Sequence, residues 1–321
     1  GAGRRRRESV QAEVVLSVTR VRPGPSMELL RTPDERFERL PGYRWEPRYT
    51  AVDGVRIHHV EDGPEDGNPV LLLHGEPTWS YLYRKVIPVL ASAGHRAIAP
   101  DLVGFGRSDK PGRREDYSYA RHVAWMAGWM RARELTGVTL VCQDWGALIG
   151  LRLVAEHPER FARVVVANGG LPTGDQHTPF PFKVWQAFAR WVPRFPIGRI
   201  VQAGSQTRLP PEVVAAYEAP FPAERFKAGP RSLPALVPTR ASDPANAANR
   251  GAWDALRRWE RPFLTAFGDQ DIFFRGIDRL LQRTVPGAAG EPHKVLRGAG
   301  HFIQEDAGEE LGRVVAEWLA R

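Results

Sequence analysis

Short, largely apolar runs recur along the chain, each bounded by glycine, proline or polar residues: Leu71 to Leu73, His95 to Ala99, Val138 to Val141, Val164 to Ala167, Phe263 to Phe267 and His293 to Leu296. Their length and composition predict strands. Stretches with the apolar spacing of helices lie between them, such as Tyr119 to Leu135 and Leu148 to Val154. Strand and helix therefore alternate, which predicts an α/β fold with a mostly parallel sheet covered by helices on both faces. The stretch from Pro172 to Arg250 interrupts the alternation. It is richer in proline and short helical patterns and separates two strand-bearing blocks, so residues 172–250 are expected to form an inserted helical cap.

The run Val138 to Val141 leads into Cys142-Gln143-Asp144-Trp145-Gly146, and a helical pattern follows at once. Strand, sharp turn and helix in this order make the nucleophile elbow of α/β-hydrolases, which holds a nucleophile above the sheet between small neighbours. Cys142 and Gly146 are such neighbours. Asp144 stands where a hydrolase would carry serine. The exchange changes the chemistry that can be completed: carboxylate attack on a saturated carbon gives an ester, which water can hydrolyse, whereas serine would give an inert ether. The carboxylate also needs no base for the first step. Asp is equally a favoured helix N-cap, and on this stretch alone both readings stand.

The rest of the chain supplies a context. Leu71-Leu72-Leu73-His74-Gly75-Glu76 is a strand ending in a His-Gly turn, where this fold provides one oxyanion-hole amide; the other comes from the residue after the nucleophile, Trp145. Late in the chain, Gly298-Ala299-Gly300-His301 places a histidine after a short strand and a loop of small residues, the place of the general base in this fold. Its orienting acid is expected after the strand Phe263 to Phe267, where Asp269 and Asp271 both stand. The loop after Val164 to Ala167 offers Asn168, which cannot carry the charge.

On these residues the chain resembles the haloalkane dehalogenases, in the subfamily with an Asp-His-Asp triad and two halide-binding tryptophans. The likeness runs from about Met27 to the C-terminus. It is most specific in His74-Gly75-Glu76-Pro77-Thr78-Trp79-Ser80-Tyr81-Leu82-Tyr83-Arg84-Lys85 and in Gln143-Asp144-Trp145-Gly146, and less so in Asp101-Leu102-Val103-Gly104-Phe105-Gly106-Arg107-Ser108-Asp109-Lys110-Pro111. The resemblance implies an α/β-hydrolase core from residues 27–171 and 251–321, with residues 1–26 a disordered N-terminal extension. It implies Asp144 as nucleophile, His301 as base and Asp271, three residues after Gly268, as the triad acid. The amides of Glu76 and Trp145 would form the oxyanion hole, and Trp145 with Trp185 on the cap would bind halide, Trp191 being the competitor for Trp185. The implied reaction takes a haloalkane and water to alcohol, halide and a proton, with no metal or organic cofactor.

Composition sets the remaining bounds. At 321 residues the chain is long enough for a hydrolase core with a lid. Its net charge of +8 owes much to Arg4, Arg5, Arg6 and Arg7, upstream of the family-like region. Such a run can bind polyanions, but a solvated tail is the expectation, with no nucleic-acid partner. Cys142 is the lone cysteine, so no internal disulfide forms. The apolar run Val14 to Val18 is too short for a secretory signal, and no segment is long enough to span a bilayer. A cytoplasmic monomer without membrane partners is therefore expected. An epoxide hydrolase shares the aspartate but uses two cap tyrosines, and residues 172–250 hold only Tyr217. A fluoroacetate dehalogenase would place arginines near the nucleophile, and Trp145-Gly146-Ala147-Leu148 has none. A non-catalytic hydrolase-fold binding protein would have little use for a full Asp, His and Asp set.

Overall fold

The computed structural model describes residues 27–175 and 178–321; the expected extension 1–26 lies outside the described residues. Among the described residues a two-residue strand β1 (Leu29–Leu30) comes first and is followed by β2 (Arg48–Val52), β3 (Val55–Asp62) and β4 (Pro69–Leu73). Helix α1 (Ile87–Ser92) leads to β5 (Arg96–Pro100) and to β6 (Lys110–Pro111), which pairs with β1 apart from the main sheet. Helix α2 (Tyr119–Ala132), β7 (Val138–Cys142), α3 (Trp145–Glu156) and β8 (Phe161–Val166) complete the first block.

Four helices follow: α4 (Phe180–Trp191), α5 (Ile197–Gly204), α6 (Pro211–Glu218) and α7 (Ala228–Leu236). The second block consists of α8 (Asn246–Leu256), β9 (Phe263–Gly268), α9 (Ile277–Thr284), β10 (Lys294–Leu296) and α10 (Ile303–Leu319). The main sheet has eight strands in the order β10-β9-β8-β7-β4-β5-β3-β2. Only the pairings of β3 with β2 and β5 are antiparallel. Helices on both faces leave the central strands no wet side. Leu71, Leu72 and Leu73 are accordingly fully buried, as are Leu140, Val141 and Cys142, and each large apolar side chain so buried contributes roughly 1.5–3 kcal/mol.

Register decides where function can lie. Leu73 pairs with Cys142, Cys142 with Val166, Val166 with Thr265, and Gly268 with Leu296. The ends of β4, β7 and β8 thus form one row, those of β9 and β10 lie level with each other three residues further along, and the turns that follow them open on the same edge of the sheet. In open α/β sheets this carboxyl edge is where ligands bind.

The helices α4 to α7 cover that edge and are fastened to the core. The hydroxyl of Thr32 donates to the carbonyl of Pro220 at 2.6 Å, and Arg36 Nε donates to that of Ala219 at 2.7 Å. Tyr217, fully buried, donates its hydroxyl to Glu305, which also holds Arg84 and Lys85. We propose 172–250 as the cap, with one qualification about its end. Helix α8 runs across residue 250 and packs on the core, where Asn249 accepts from Arg152 at 3.1 Å and Trp253 donates to the carbonyl of Leu171 at 2.8 Å.

Candidate active site

Asp144 follows β7 by two residues and caps the start of α3 with φ 51° and ψ −125°, a backbone conformation that residues other than glycine rarely adopt. The turn is tight as well. A Cβ on Gly146 would lie 2.0 Å from the carbonyl oxygen of Leu73, so only glycine fits beside the neighbouring strand. The strain projects the carboxylate from the sheet edge toward the His74-Gly75-Glu76 turn.

There its two oxygens meet different partners. Oδ1 accepts from the amide of Glu76 at 2.8 Å, and the amide of Trp145 also donates to the carboxylate. Oδ2 faces His301 Nε2 at 3.7 Å. Burial raises the Asp144 pKa above the usual carboxylate value, against the opposing pull of His301 and the two amides.

His301 follows the Gly298-Ala299-Gly300 loop and is shut in by Phe273, Phe274 and Phe302. Its Nδ1 lies 3.1 Å from Asp271 Oδ2, and Asp271 Oδ1 accepts from the amide of Phe273 at 2.8 Å. Burial opposes an imidazolium here. The charge and hydrogen bond of Asp271, together with the charge of Asp144, outweigh it and raise the His301 pKa. For Asp271 the same burial is outweighed by His301 and nearby amides, so its pKa is lowered. Asp269 turns elsewhere: Oδ1 accepts from Gly298 N at 2.7 Å and from the side chain of Gln270.

The structure therefore brings together Asp144, His301, Asp271 and the amides of Glu76 and Trp145. Trp145 is buried with its ring against Tyr119 and His122. Trp185 is half-buried on α4, its ring against Phe188 and Phe195 on the cap. Neither indole N–H meets an acceptor among the described residues. Trp191 is 73% exposed beneath Arg190. Among the described residues no group of three or more His, Cys, Asp or Glu is placed to hold a metal ion.

Several residues at the site escaped the sequence reading. Asn168, considered only as a failed triad acid, ties the loops together: its Nδ2 donates to the carbonyls of Gly300 and His301, its Oδ1 accepts from Gly268 N, and its carbonyl accepts from Asp144 N. Its positive φ of 48° hints at a special turn, but sequence gives only the Asn. Gln143 donates to the carbonyl of His301 at 3.2 Å. Glu76, expected to contribute its amide alone, also buries its carboxyl beside Asp144, where burial and that neighbouring charge hold its pKa well above the usual value.

On a mostly parallel sheet, a strained carboxylate-bearing elbow, two converging amides and a histidine paired to a second carboxylate give the chain the architecture of an α/β hydrolase. Residues 68–308 match the family model for the alpha/beta hydrolase fold. The chain is 54% identical over 297 residues to haloalkane dehalogenase 1 of Mycobacterium tuberculosis, covering 91% of this chain and 99% of that one. It is 50% identical over 298 residues to a haloalkane dehalogenase of Psychrobacter cryohalolentis, covering 91% and 98%. The chain belongs to the haloalkane dehalogenase family. Among solved structures it resembles the haloalkane dehalogenase DpaA of Paraglaciecola agarilytica NO2, described as tetrameric, with TM-score 0.84, 32% identity and coverage of 92% and 98%.

Proposed function

We propose that this chain dehalogenates haloalkanes hydrolytically, with Asp144 as nucleophile, His301 as base and Asp271 as its orienting acid. Asp144 Oδ2 attacks the halogen-bearing carbon from the rear, forming an ester and expelling halide. His301 then takes a proton from water, the water oxygen adds to the ester carbon, and collapse releases alcohol and, in the net, a proton. Asp271 fixes the ring and offsets the charge of the imidazolium. The division of the Asp144 carboxylate carries this reading. Oδ1 accepts from the amide of Glu76 and the amide of Trp145 also donates to the carboxylate, where charge develops during ester hydrolysis, while Oδ2 is the oxygen toward His301. A donor so placed supplies about 3 kcal/mol.

Trp145 and Trp185 are proposed as the halide donors. Indole N–H is a donor without acceptor capacity, which suits an anion, and Trp185 is the half-buried candidate where Trp191 is exposed. The single chain carries every group this chemistry needs, which supports a monomer as the functional unit. Among the described residues no helix is long and apolar enough to cross a membrane. With Cys142 buried and no disulfide to require an oxidising compartment, the cytoplasm is the proposed location.

The epoxide alternative finds little support in Tyr217: it is fully buried with its hydroxyl engaged by Glu305. Bromide release from terminal bromoalkanes, measured beside hydrolysis of styrene oxide, tests the choice. Bromide and alcohol should appear in equal amounts with little diol, and rapid epoxide opening without bromide release would reverse the assignment. In the same assay Trp185→Phe should weaken bromide quenching of fluorescence and slow carbon–halogen cleavage about 10- to 100-fold. Unchanged halide affinity would remove Trp185 from the halide site.

A further inference from the structure

The loop bearing His301 is held from the cap as well as from the core. The amide of His301 donates to the carbonyl of Gly204 at 2.8 Å, and that of Phe302 reaches the same oxygen at 3.4 Å. Gly204 ends α5, and the segment after it continues to α6. Asp306, in the first turn of α10, completes the tie. Its Oδ2 accepts from Gly300 N at 2.8 Å and from Gln206 N at 3.0 Å, and its Oδ1 accepts from Thr207 N at 2.7 Å. One carboxylate thus gathers amides from both sides of the seam between cap and core. Hydrogen bonds to an ionised acceptor are stronger than neutral ones, and these amides lie in loops that offer no ladder partner. The seam leaves no slack: a Cβ on Gly300 would lie 2.6 Å from the Gly204 carbonyl oxygen, and one on Gly204 would lie 2.5 Å from the Phe302 ring. The preceding residue, Glu305, holds the next cap helix through Tyr217.

We propose that Asp306 is a positioning residue for His301, clasping the cap segment 204–207 to the loop that carries the base. The inference rests on His301 being the base for ester hydrolysis. Asp306 touches no reacting atom; it acts through Gly300 and Gly204, whose placement sets where Nε2 stands over the ester. Hydrolysis requires Nε2 within hydrogen-bond reach of the attacking water, whereas attack by Asp144 on carbon uses no base. Loosening the clasp therefore slows the second half-reaction and leaves the first.

The experiment is rapid mixing of the full chain with a terminal bromoalkane, following bromide release and the mass of the peptide containing Asp144. Asp306→Ala should release about one equivalent of bromide at the wild-type rate, then turn over about 10- to 100-fold more slowly while alkylated Asp144 accumulates. Asp306→Asn, which keeps one accepting carbonyl oxygen, should recover part of the hydrolysis rate. Equal slowing of burst and turnover, or a lowered Tm with turnover unchanged, would overturn the clasp. Should Asp306→Ala fail to fold, Asp306→Asn decides alone: a preserved burst with slowed hydrolysis supports the proposal, and equal slowing refutes it. His301→Phe run in parallel separates the two levels. Sustained turnover there defeats the base assignment itself, whereas a stalled His301→Phe beside a normal Asp306→Ala defeats only the clasp.

Discussion

His301→Phe is expected to release one equivalent of halide per active site and then stop. Attack by the Asp144 carboxylate on carbon needs no general base, so alkylation should survive the loss of the imidazole. The ester it forms lacks an activated water, and turnover should fall by about 10²- to 10⁴-fold. The protein should gain the mass of the alkyl group on the peptide containing Asp144, and Asp144→Ala should give neither burst nor adduct. An adduct on another residue, or continued turnover by His301→Phe, would defeat the mechanism even with the fold intact.

The second large effect separates the two aspartates of one loop. Asp271 lies 3.1 Å from His301 Nδ1, while Asp269 is bound to Gly298 N and Gln270. Asp271→Asn should slow ester hydrolysis about 10²- to 10⁴-fold by removing the charge that favours the working tautomer and the imidazolium. Asp269→Asn should keep activity within a few-fold of wild type. The pH dependence supplies a second readout. Asp271 raises the His301 pKa against a burial effect that lowers it. Without Asp271 burial prevails, so the acid limb of the remaining hydrolysis, which rises as His301 loses its proton, should move to lower pH. A limb that stays in place, or equal losses from both substitutions, would mean that Asp271 does not orient the base.

The parts of the site that could be read from the sequence share a local signature. The elbow shows itself because strand, small residues and helix adjoin Asp144, and His301 because a glycine loop follows a short strand. Strand limits shift by up to three residues, with β8 spanning Phe161–Val166 where the apolar run suggested Val164 to Ala167, since hydrogen bonding to neighbours sets the ends. What remained hidden is long-range. Asn168 reaches residues 300 and 301, and Gly204 meets His301, across separations that no local pattern encodes. The 172–250 boundary missed the continuity of α8 for the same reason: its attachment to Arg152 and Leu171 is tertiary. Asp269 and Asp271 could not be told apart by composition, because both are acids in one loop and only backbone direction distinguishes them.

The 3.7 Å approach of His301 to Asp144 also orders events in time. In the resting protein the charge of Asp144 is one of the influences that raise the His301 pKa. On the proposed mechanism alkylation would turn that carboxylate into a neutral ester, and this influence would be lost. On the proposed mechanism the imidazole would thus be more often free of its proton once there is an ester to hydrolyse. On that mechanism the ester would favour the neutral imidazole that its own hydrolysis needs, and an unalkylated site would favour the protonated one.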